Sequence, residues 1–74
     1  MKRLYKVFLI GKGDGCYAEE YREEFLGETW AVSEARAILN IHYRLKQKGE
    51  RLPENLHDSH GMGSVRYEMK AVEA

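Results

Sequence analysis

Five residues, Gly11-Lys12-Gly13-Asp14-Gly15, form the one stretch whose backbone amides could converge on a phosphate. A dinucleotide fingerprint needs G-x-G-x-x-G between a strand and a helix, and here Cys16 stands at the last glycine position. The Walker pattern is missing as well, because Lys12 is followed by Gly13 and no hydroxyl is in place to hold magnesium. Glu19 and Glu20 come next and would repel an anion. Asp14-Gly15 between two strand-like runs is instead a hairpin signal, since both residue types tolerate positive φ. The expectation is a turn that binds no nucleotide, and no cofactor of any kind.

His57-Asp58-Ser59-His60, with Glu54 nearby, brings two imidazoles and carboxylates together. A structural zinc site wants four well-spaced ligands, and the only thiol, Cys16, is remote, so no metal is expected. Cys16 also lacks an adjacent His or Lys to activate it as a nucleophile. His42 falls within an apolar helical stripe, where a partly buried, hydrogen-bonded histidine is the usual case. Trp30 is expected as a core anchor rather than a stacking platform. No catalytic constellation emerges, and the chain is read as a binding protein, not an enzyme.

Charge is more informative than chemistry. The formal net charge is zero, yet Asp14 to Glu28 carries six acids against Arg22 alone, and Arg36 to Arg51 carries five bases against Glu50 alone. This asymmetry defines two candidate surfaces. An acidic ribbon of Glu19, Glu20, Glu23, Glu24 and Glu28 could mimic a polyanion and occupy a basic protein partner. A basic helix face of Arg36, Asn40, Arg44, Gln47 and Lys48, with Tyr43 at its border, could contact nucleic acid.

The elements that must position these groups can be read from periodicity. RLYKVFLI (residues 3 to 10) is a largely buried strand stopped by Gly11, and SVRYEMKAV near the end alternates as a strand with one wet face. Between them Ser33 caps a helix that runs to about Lys48 and stops at Gly49, with Ala31, Ala35, Ile38, His42 and Leu45 on its inner stripe, flanked by Leu39 and Ile41. Residues 17 to 32 suit either a helix or a strand. A strand is favoured because a helix would set Glu19/Glu23 and Glu20/Glu24 as like-charged i, i+4 pairs, and it would place Leu26, Trp30 and Val32 on one face. Residues 49 to 63 read as one long loop.

The expected fold is therefore a small single α+β domain over residues 1 to 74, an antiparallel sheet of three strands with one packed helix in the order ββαβ, with βααβ as the alternative. The opening MKRLYKVFLIGKG imitates a signal peptide, but Lys6 interrupts a short apolar run, and with a single cysteine a cytoplasmic location is expected. No segment has the roughly 20 apolar residues that cross a bilayer, so no membrane partner is expected.

Residues 25 to 44, FLGETWAVSEARAILNIHYR, resemble a strand-to-helix stretch in short uncharacterised proteins of phages and integrative elements, carried here by Thr29 to Glu34 and Asn40 to Arg44. The resemblance implies an accessory protein of a mobile element, a class that includes anti-CRISPR proteins, and assigns no catalytic residue. A protein partner is favoured, with nucleic acid as the alternative and a homodimer through an edge strand as a further option.

Overall fold

The computed structural model describes residues 1 to 53 and 63 to 74, together with the backbone of Leu56 and His57. Strand β1 (Arg3–Gly15) is followed by β2 (Tyr21–Ala31), helix α1 (Glu34–Gln47), a two-residue strand β3 (Leu56–His57) and β4 (Gly63–Glu73). The strands form one antiparallel sheet in the order β2-β1-β4-β3. The long elements thus have the order ββαβ expected from the sequence, and residues 21 to 31 are a strand. The loop expected over residues 49 to 63 is interrupted by β3, which pairs with β4 at Ser64 and Val65.

Helix α1 begins where the cap chemistry places it. Ser33 is extended and its Oγ accepts from the Arg36 amide at 3.2 Å, while Glu34 favours the positive end of the helix dipole. At the other end Gly49 has φ 75°, its amide donates to the Lys46 carbonyl, and the Glu50 amide donates to the Leu45 carbonyl. This is the paired-bond termination that a residue without Cβ allows.

The helix covers one face of the sheet. Its buried stripe is Ala37, Ile41 and Leu45, packed with Tyr5, Val7, Ala31 and Ala71 and flanked by Leu26, Ile38, Leu52 and Met69. The stripe is rotated by about one residue from the one read in the sequence: Ala35 and His42 are exposed, and Ile41 is central. Small residues explain the rotation, because Ala31, Ala37, Ala71 and Gly27 let the helix axis approach along Ile41.

A bulge sets the faces of β2. Val7 pairs with Gly27 but Phe8 pairs with Phe25, so Leu26 is an extra residue and the register shifts there. Gly27 takes φ 150°, and a Cβ on it would lie 3.3 Å from Ile41 Cδ1. The strict alternation that put Leu26 and Trp30 on one face therefore fails. Leu26 packs toward the helix, whereas Trp30 is 59% exposed and is no core anchor.

Candidate functional site

The glycine stretch is the distal end of β1, and it leads into a four-residue turn and another strand, not a helix. The hairpin is therefore wider than a two-residue Asp-Gly turn, and of the two only Gly15 takes positive φ, at 63°. Amides of the stretch and of its turn are already used. Gly13 donates to the Glu20 carbonyl at 2.9 Å, Gly15 to Asp14 Oδ1 at 2.8 Å, Tyr17 to the Asp14 carbonyl and Ala18 to the Gly15 carbonyl. Glycines are required here by packing: Tyr67 lies against Gly11, and the Tyr17 carbonyl lies against Gly13. Titration with ATP, GTP or NAD at millimolar concentration should leave the melting temperature unchanged. A shift that disappears in Lys12→Ala would contradict this.

The five carboxylates of the acidic ribbon do not form one row. Glu19 and Glu20 sit exposed in and after the turn, Glu24 points to the helix side where Arg22 pairs with it, and Glu23 and Glu28 point to the other face. Strand alternation divides the acids, and Arg22 neutralises part of one set. Tyr21 donates its hydroxyl to Glu23 Oε2 at 3.1 Å, and this bond, followed by the charge of Glu23, raises the Tyr21 phenol above its ordinary range.

The basic helix face is also divided. Asn40 donates to Thr29 Oγ1 and to the Trp30 carbonyl, each at 3.4 Å, and Arg44 donates to the Glu28 carbonyl at 3.1 Å and to Thr29 Oγ1 at 3.4 Å. These two side chains cover the outward carbonyls of β2, an edge strand, and so protect it from pairing with another chain. Arg36, Tyr43, Gln47 and Lys48 remain exposed, with Gln47 Nε2 donating to the Tyr43 hydroxyl at 2.9 Å. Leu39 is exposed beside them. His42 borders a cleft of about 400 Å³ between the helix end and residues 50 to 52. Glu54, Asp58, Ser59 and His60 and the side chain of His57, on which the metal expectation rests, lie outside the described residues. Among the described residues no three His, Cys, Asp or Glu side chains cluster as metal ligands, and no helix is long and apolar enough to cross a membrane.

The surface that sequence reasoning missed is the sheet face opposite the helix. Tyr5, Val7 and Leu9 of β1 are buried on the helix side, so Leu4, Lys6, Phe8, Ile10 and Lys12 point the other way. Register sets Trp30 beside Leu4, Glu28 beside Lys6, Phe25 beside Phe8 and Tyr21 beside Lys12. Strand β4 adds Arg66, Glu68, Lys70 and Val72 to the same face. Phe8 and Phe25 meet at 5.6 Å between ring centroids with a tilt of 58°, a favourable edge contact, yet Phe25 stays 53% exposed and Tyr21 62%. A hollow of about 210 Å³ crosses the face between Phe8, Tyr21, Lys70 and Val72. No protein-family model matches the chain, and neither the curated proteins nor the solved structures contain a match to it.

The signal for this face was present in RLYKVFLI. A strand apolar on both sides needs a cover on each side, and the described residues supply one helix.

Proposed function

We propose that this chain is a small binding protein that acts through protein-protein contacts, and that its working surface is the uncovered face of the sheet. The observation that carries the reading is the set of exposed rings, Tyr21, Phe25 and Trp30, that β2 presents beside Leu4 and Phe8 of β1. Apolar area of this kind, rimmed by charge, marks a contact surface. Two carboxylates of the acidic ribbon, Glu23 and Glu28, belong to its rim. The other three fall outside it.

The charges of the face favour a protein over a nucleic acid. Lys6, Lys12, Arg66 and Lys70 are interleaved with Glu23, Glu28 and Glu68, so no one-signed field greets a polyanion. The helix offers less support for nucleic acid than its sequence implied, because Asn40 and Arg44 are engaged on the β2 edge. A regulator or inhibitor of the phage or mobile-element kind, the setting implied by residues 25 to 44, would use such a surface.

A photo-crosslinking residue in place of Phe25 should give protein adducts, and the same residue in place of exposed Tyr43 should give few. Adducts formed equally from both positions, or nuclease-sensitive adducts from position 25, would contradict the reading.

A further inference from the structure

The uncovered face has a second property besides being apolar: its chemistry matches itself. We propose that its occupant is a second copy of this chain, packed sheet to sheet around a two-fold axis. The proposal rests on the reading of this face as a contact surface and names the partner.

Shape points first to a missing layer. The chain exposes 5736 Å², whereas a compact chain of 8.6 kDa exposes about 4,700 Å². Its radius of gyration is 14.2 Å, against roughly 11 Å for a compact chain of this length. Extents of 47 × 25 × 15 Å describe a slab with one helix on one side. The open face is built from three paired strands of 13, 11 and 11 residues, about 35–45 Å long by strand rise.

The core points the same way. Three of its seven central members, Ala31, Ala37 and Ala71, are alanines, and a single cysteine allows no intrachain disulfide. Association is one of the ways in which domains this small that lack a disulfide are completed. Ile10 shows the direction in which completion occurs, because it is already only 8% exposed on the open face beneath longer neighbours.

Charge selects the partner. A two-fold contact places one patch against itself, so a patch of a single sign is self-repelling, whereas a patch carrying both signs can be self-complementary. Here the apolar rings lie toward β2 with Glu23 among them, and Lys12, Arg66 and Lys70 lie toward β1 and β4 with Glu68 between Arg66 and Lys70. Antiparallel sheets stack about 10 Å apart with strands within about 30° of each other, a spacing at which facing rings interdigitate and facing carboxylates and lysines can pair. The contact uses the face and leaves the β2 edge, held at Glu28 and Trp30 by helix side chains, as it is.

Trp30 is the only tryptophan and lies on this face, so it reports occupancy without a label. Sedimentation of the full chain over a dilution series should show a dimer dissociating to a monomer, with Trp30 emission moving to longer wavelength as it does. Phe25→Glu and, independently, Val72→Glu should each weaken dimerisation by about 30-fold or more while far-UV circular dichroism is unchanged, since both side chains are exposed in the single chain. Tyr43→Ala should leave it intact. A wild-type chain that is monomeric at every concentration, with constant Trp30 emission, overturns the second copy; so does a dimer that survives both face substitutions. In either of those cases, crosslinks from position 25 to a different protein would show that the contact-surface reading stands while the second copy fails, and their absence would show that both fail.

Discussion

Ile41→Ala lowers the free energy of unfolding by about 2–5 kcal/mol. Ile41 is 1% exposed at the centre of the helix stripe and shares the core between helix and sheet with Val7, itself fully buried. The loss belongs in the upper part of that range because the neighbours cannot close the gap: Ala31, Ala37 and Ala71 are short, and Gly27 has no side chain to move. A chain of 74 residues has a total stability of only about 4–11 kcal/mol, so the variant is close to unfolding at room temperature. Urea melts followed by circular dichroism measure it. A loss below about 1 kcal/mol, the scale of an average substitution, would mean that the helix does not pack along Ile41.

Gly13→Ala is the second large effect, at about 1–3 kcal/mol. A methyl group there would overlap the Tyr17 carbonyl oxygen, and that oxygen belongs to the backbone of the turn and cannot rotate away. Relief requires opening the hairpin, which breaks the Gly13 to Glu20 bond and the Glu20 to Tyr17 bond that close it. Lys12→Ala, one residue away with an exposed side chain, should stay within about 0.5 kcal/mol. Comparable losses in both variants would show that glycine is kept at position 13 for some reason other than this contact.

Much of the architecture was legible because it is written locally. Ser33 and Gly49 mark the helix ends through their own backbone requirements, and the alternation of Val65 to Ala71 reflects a sheet with one covered face. The site was less legible because it depends on one non-local fact. A single bulge at Leu26 reverses the facing of everything beyond it, turning Trp30 from the expected core anchor into part of an exposed face and moving Glu28 from the side of Glu24 to that of Glu23. The engagement of helix-face residues is hidden for a related reason. Asn40 and Arg44 looked like free polar groups, yet an edge strand presents carbonyls that no periodicity in the helix reveals, and these two side chains bond to them.

The order of the candidate surfaces changes accordingly. The acids are split between faces, the bases are partly engaged, and apolar rings, among them the Trp30 expected in the core, are gathered on one open side. That side is the central claim, and isotope-filtered NMR on an equal mixture of labelled and unlabelled chain tests it most directly. A two-fold contact through the open face predicts intermolecular contacts that join the rings of Phe8, Phe25 and Trp30 with Val72 of the other copy. Intermolecular contacts confined to Leu39 and Tyr43 on the outer helix face, or none from the sheet face at concentrations where sedimentation gives a dimer, would contradict it.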